Sequence, residues 1–154
     1  MGARTQSIDV QTRKQLAQLL RRFVAGLITN DEFESQLPRL HDLAARQVFS
    51  EGAWHLYDDL HEHRLTGKHR LDRATRAQIA RWILFLETDL PYEWPVIPPF
   101  VVYLVLPVVN LLTLGATTRL VASYLQRGGD ADVWPFRRRA DYERALPRPP
   151  YLHG

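Results

Sequence analysis

Residues 96–118, VIPPFVVYLVLPVVNLLTLGATT, contain no Asp, Glu, Lys, Arg or His. A helix needs about 20 apolar residues to cross the hydrocarbon of a bilayer, so this run is long enough to do so. A segment apolar on every side must be buried, in lipid or in protein. Lipid also requires internal pairing of every backbone polar group. The run resists a straight span on that count. Pro98 and Pro99 suit a helix start, but Pro107 falls in the middle, where it removes a hydrogen bond and kinks or breaks the helix. Asn110 adds an amide that needs a partner. A kinked span, or a half-inserted hairpin with its corner at Pro107, fits better. The competing reading is a buried central helix of a soluble bundle.

The flanking charges narrow the membrane reading. Arg119, Arg127, Arg137, Arg138 and Arg139 follow the run, and a basic flank favours the cytoplasmic side. A single crossing would then export the charged residues that precede it, although MGARTQSIDV has no secretory signature. The expectation with least conflict keeps both flanks on the cytoplasmic side of the inner membrane, with the apolar run dipping in or buried in protein. The cytoplasm itself is the alternative location.

A chain of 154 residues suffices for one domain with its own core. Its net charge of +3 is spread among acids through most of the length, which does not point to nucleic acid. Without cysteine it has no disulfide framework and no thiolate chemistry.

Helical periodicity organises the rest. From about Gln11, the residues Leu16, Leu19, Leu20, Phe23, Val24 and Leu27 form one stripe, and Gly26 is a natural stop. Thr29 and Glu32 stand at capping-box spacing for a second helix. Asp31, Glu32 and Glu34 sit in its first turn, Phe33, Leu37 and Leu40 form its buried side, and Pro38 limits it. A third helix is expected from near Leu43 or Val48 to His63, on the spacing of Phe49, Ala53, Leu56 and Leu60. Residues 65–70 form a loop. Asp72 caps a fourth helix with the stripe Ile79, Ile83, Leu86 and Leu90, widened by Trp82 and Phe85 and ended by Pro91. Residues 91–95 (PYEWP) are a rigid elbow. After Thr118 a helix continues to Gly128 and Gly129, Trp134 and Phe136 dock as aromatics, and residues 137–146 make a last short helix. Residues 147–154 are an extended tail.

The hairpin LLRRFVAGLITNDEFESQL (residues 19–37) resembles the opening of small helical bacterial immunity proteins of the colicin-immunity type. WHLYDDL and FLETDLPYEWP resemble stretches of uncharacterised bacterial helical proteins. Neither resemblance carries an active residue.

Three groups of side chains are candidates for chemistry. On a continuous helix His55, Asp59 and His63 would share a face and offer imidazole and carboxylate to Zn or Mn, with His69 folding back from the loop. They lack the H-E-x-x-H order of a zinc protease, and a solvated polar face with His–Asp contacts is the plainer reading of the same residues. Glu87, Asp89 and Glu93, with Tyr92 and Trp94 beside them, form an acidic aromatic rim suited to a protein partner. Trp134 and Phe136 ahead of Arg137, Arg138 and Arg139 suit contact with lipid phosphates. No nucleophile elbow, phosphate loop or dinucleotide fingerprint is present.

The sequence therefore predicts a mainly α protein: a bundle of five to seven helices with one very apolar, Pro-kinked segment. One domain would comprise an amphipathic part (1–95), the apolar segment (96–126) and an aromatic-basic part with a tail (127–154). The leading function is non-enzymatic protein binding at the membrane, without a cofactor. A soluble immunity-like protein masking a basic toxin surface is the second reading, and a metal-dependent enzyme on the His/Asp face is the third.

Overall fold

The computed structural model describes residues 8–56, 61–95 and 128–146. Among them the chain is mainly helical and contains no strand. Five α-helices are present there: α1 (Val10–Val24), α2 (Asn30–Ser35), α3 (Leu43–Glu51), α4 (Arg73–Leu86) and α5 (Arg139–Ala145). Short 3-10 turns cover Ala53–Leu56, Gly67–His69 and Ala131–Val133. The charge-free run and the helix expected after Thr118 lie outside the described residues. Among the described residues no helix is long and apolar enough to cross a membrane.

The helix ends follow local chemistry. Asp9 starts α1, its carboxylate accepting from the Thr12 amide at 3.0 Å and the Thr12 hydroxyl at 2.6 Å. The helix closes in a Schellman motif: the Leu27 amide donates to the Arg22 carbonyl and the Gly26 amide to the Phe23 carbonyl, both at 2.9 Å. Gly26 supplies the left-handed residue, with φ of 70°. This turn takes Leu27 off the helical stripe and leaves it 63% exposed, contrary to the expected buried position. Both halves of the Thr29–Glu32 capping box are formed, and Asp72 caps α4 through the Thr75 amide.

α4 is the central element. Its Ile79, Trp82, Ile83 and Leu86 join a cluster built with Leu16, Leu20 and Phe23 of α1, Phe33 of α2 and Val48 of α3. Leu84 and Phe85 on its other side enter a second cluster with Ala44, Tyr92, Val133 and Phe136. A helix apolar on both faces is buried between two layers; its last two turns meet that condition. α1 runs antiparallel to it. Arg13, near the start of α1, reaches the carbonyls just past the end of α4, while Val24 and Ala25 lie beside Arg76 and Ala80.

Two expected helix lengths are corrected. α3 ends at Glu51 rather than running to His63. Its backbone at Gly52 passes so close to Trp82 that a Cβ there would lie 2.8 Å from the indole. α4 ends at Leu86, so Leu90 lies beyond the helix. The Thr88 hydroxyl turns back to the Phe85 carbonyl at 2.7 Å, and the freed carbonyls of Thr88 and Leu90 accept from Arg13 at 3.2 and 2.7 Å.

Candidate functional site

Three constructions in this fold place side chains where they could act. The first is a buried ion pair. Arg13 Nε donates to Asp42 Oδ1 at 2.9 Å, and neither side chain is exposed. The Asp42 carboxylate also caps α3 through the Ala45 amide and accepts from the Asp9 amide. The Arg13 guanidinium lies 5.6 Å from the centroid of the Phe85 ring. One arginine thus joins the starts of α1 and α3 to the exit of α4. Nothing in its sequence surroundings sets Arg13 apart from the other arginines of the chain.

The second is a clasp between the elbow at 91–95 and the chain at 128–137. Trp94 Nε1 donates to the carbonyls of Pro135 and Phe136 at 3.0 and 3.2 Å. Trp134 Nε1 donates to the Tyr92 hydroxyl at 3.2 Å, and Arg137 bridges Glu93 at 3.2 Å. Phe85 meets Phe136 edge-to-face at 5.0 Å. Burial raises the Tyr92 phenol above its ordinary value of 10.0, a shift the Trp134 bond opposes. At Gly129 the backbone lies against the Arg137 carbonyl, which would stand 2.3 Å from an added Cβ.

The clasp redistributes the residues expected at a partner or lipid surface. Tyr92 is buried and Trp94 half-buried, both turned into the second cluster rather than outward. Glu87 is taken by Arg21 at 2.9 Å and Glu93 by Arg137, whereas Asp89 is exposed. Phe136 is wholly buried and Trp134 half-buried, so the aromatic part of the lipid group faces the core. Arg137, Arg138 and Arg139 are exposed, with Arg139 bridging Asp130 and Asp132 at 3.0 and 3.6 Å.

The metal candidate loses its helical premise. His55 lies in the 3-10 turn after α3, and His63 lies in an irregular segment whose amide donates to Asn30 Oδ1 at 2.7 Å. Asp59 falls outside the described residues. The His63 and His69 rings do approach, with centroids 4.5 Å apart. Among the described residues no group of three or more His, Asp or Glu side chains is arranged to hold a metal ion.

The third construction, which the sequence reading missed, is the seam between α1 and α4. Two depressions lie along one side of it, with the Arg21–Glu87 ion pair between them. One, of about 560 Å³, is lined by Val10 and Lys14 of α1, Leu84 of α4, Asp89 beyond it, and Arg144 and Ala145 of α5. The other, of about 340 Å³, has Val24, Ala25, Ala80 and Ile83 as its apolar surface, with Arg76 on its rim. The signal was available in principle: Lys14, Arg21 and Ala25 recur at i, i+7 and i+11, and Arg76, Ala80, Ile83 and Glu87 at i, i+4, i+7 and i+11. Their small and charged members read as an ordinary solvated face. No protein-family model, curated protein or solved structure matches the chain.

Proposed function

We propose that this chain is a non-enzymatic protein that associates with the cytoplasmic side of a membrane through residues 96–118 and binds a second protein with its helical body. The finer architecture that goes with this reading is a bundle of five to seven helices with residues 96–126 as its apolar segment. The observation that carries it is the clasp. Tyr92, Glu93 and Trp94, just before the apolar run, are bonded to Trp134, Pro135, Phe136 and Arg137, shortly after it. Flanks held at neighbouring points of one body favour a path between them that begins and ends on the same side of a bilayer.

Length supports a shallow path. Eleven residues precede Pro107 in the charge-free run and eleven follow it. As helical arms they reach about 16 Å, roughly half of a hydrocarbon core about 30 Å thick. Two full crossings need about 20 residues each, so a re-entrant dip suits the chain. The arginines after the run favour the cytoplasmic leaflet. The immunity-like alternative has less support, because Glu87 and Glu93 would have to leave Arg21 and Arg137 to meet a basic toxin.

Fractionation of expressing cells with a high-pH carbonate wash tests the membrane half. Protein retained in the washed pellet is the expected result. Recovery in the soluble fraction would assign residues 96–118 to a protein core and end the membrane reading.

A further inference from the structure

We propose that the bare outer face of α4, with the turn that feeds it, lies against the anionic headgroups of a phospholipid surface; this rests on the membrane half of the reading above. Between Glu62 and Glu87 the chain carries six cations, Arg64, Lys68, Arg70, Arg73, Arg76 and Arg81, and one acid, Asp72. Arg64 is engaged by Glu32 and by the carbonyls of Gly26 and Leu27. Lys68, Arg70, Arg73 and Arg76 are exposed and form no ion pair among the described residues. Asp72 is committed to the α4 cap and offsets at most one of them, Arg76 lying within its Coulombic reach. Folding does not ask for this pattern. The positive end of a helix dipole disfavours cations in the first turn, yet Arg73 opens α4 and Arg76 follows one turn later, with no acid inside that turn.

The cations of α4 share one side of the helix. Arg73, Ala77, Ala80 and Leu84 follow at i, i+4, i+7 and i+11, with Arg76 and Arg81 flanking that line. Leu84, at its end, is closed into the second cluster with Tyr92 and Phe136, while Arg73, Arg76 and Ala77 stay exposed. The bare part of α4 therefore lies on the side that the clasp covers farther along.

The composition of the face selects the occupant. Ala74, Ala77 and Gln78 fill the exposed spaces between the arginines. Their short side chains let a broad phosphate surface come close, and they offer no aromatic ring on which a base could stack. Arg137 and Arg139, which also follow the charge-free run, are matched by Glu93, Asp130 and Asp132. The contact with lipid phosphate thus moves from residues 137–139 to α4.

The test floats the full-length chain, diluted from detergent, with a mixture of phosphatidylcholine vesicles and denser vesicles containing about one-third phosphatidylglycerol. Insertion of residues 96–118 contributes to both vesicle types, so the ratio of chain recovered on each reads the α4 face. At low salt the parent should favour the anionic vesicles, and high salt should erase the preference. R73Q/R76Q should lower the ratio at least about tenfold with helical circular dichroism unchanged, each cation near such a surface being worth about fivefold. K68Q/R70Q, outside the helix, serves if that variant misfolds. R73K/R76K should keep the ratio, because a lipid surface needs charge rather than a guanidinium fork. R39Q/R46Q removes the same charge from exposed positions elsewhere and should lower the ratio less than about threefold. No preference for the anionic vesicles, or an equal loss in R39Q/R46Q, would overturn the proposal. Loss in R73K/R76K would do so by demanding a guanidinium-specific ligand. Displacement from the anionic vesicles by duplex DNA at equal phosphate concentration, abolished in R73Q/R76Q, would make the occupant a nucleic acid and overturn it as well. The two readings fail separately. A carbonate-extractable chain that keeps the arginine-dependent preference takes residues 96–118 out of lipid and keeps this face. A carbonate-resistant chain without that preference removes the face and leaves the membrane reading standing.

Discussion

Arg13 is the side chain on which most local geometry depends. Its guanidinium bonds Asp42 and the carbonyls of Thr88 and Leu90 from a fully buried position. A buried ion pair adds little net stability over an apolar substitute, but removing one partner strands the other, at about 3–5 kcal/mol. Arg13→Met should therefore lower the urea midpoint by an amount equivalent to about 3–5 kcal/mol, and a loss below about 1 kcal/mol would show that Asp42 finds another partner. Two of the caps contribute to the acid limit. Bonds from the Thr75 amide and hydroxyl hold Asp72 below its ordinary 3.8, and the Thr12 hydroxyl and amide do the same for Asp9. Both carboxyls take up protons less readily folded than unfolded, so their contribution is full above 3.8 and vanishes as the pH falls through the folded values. Asp72→Asn keeps a capping oxygen but cannot titrate. Its unfolding curve should lose the Asp72 share of the acid sensitivity below about pH 4, with that of Asp9 remaining, while matching the parent at neutral pH. Tyr92 works in the opposite direction: its raised phenol contributes fully below 10.0, and the contribution is lost as the pH rises through the folded value. Tyr92→Phe should flatten that alkaline limb.

Among the elements, those whose ends are set by neighbours in sequence were legible. The Thr29–Glu32 box, the Asp72 cap and the Gly26 stop each need only residues within a few positions, and each formed where the spacing placed it. Elements ended by distant contacts were not. α3 stops where Gly52 meets Trp82, and the chain past α4 unwinds where its carbonyls meet Arg13. The candidate sites divide the same way. A charge-and-aromatic pattern marked residues 87–94 and 134–139 as important, but their mutual clasp is a contact over about forty positions that periodicity does not encode. The clasp should depend on its buried part. Trp94→Phe removes the indole donor from two carbonyls and should cost about 1–3 kcal/mol. Glu93→Gln breaks an ion pair that is 45% and 42% exposed on its two sides and should cost under about 1 kcal/mol. Chemical denaturation of the two variants gives both values, and the reverse order would move the clasp to its exposed rim.

Among the described residues two layers of helix and loop close around α4, and the clasp holds together the points between which residues 96–127 run. Cations, carboxylates and apolar residues share the α1–α4 seam, and Glu87 and Glu93 beside the elbow are matched internally. If residues 96–118 dip into a membrane as proposed, both flanks of the apolar run stay on its cytoplasmic face. The chain has no cysteine, so single replacements at the exposed Asp89 and Asp132 report their own positions without background. The deciding measurement is labelling of D89C and D132C by a membrane-impermeant maleimide, in intact spheroplasts and in sealed inverted vesicles, with a carbonate wash of a parallel membrane sample. Both cysteines should react in the inverted vesicles, and neither should react in spheroplasts. Labelling of the two from opposite sides, or absence of the protein from the washed membranes, would rule out the same-side dip.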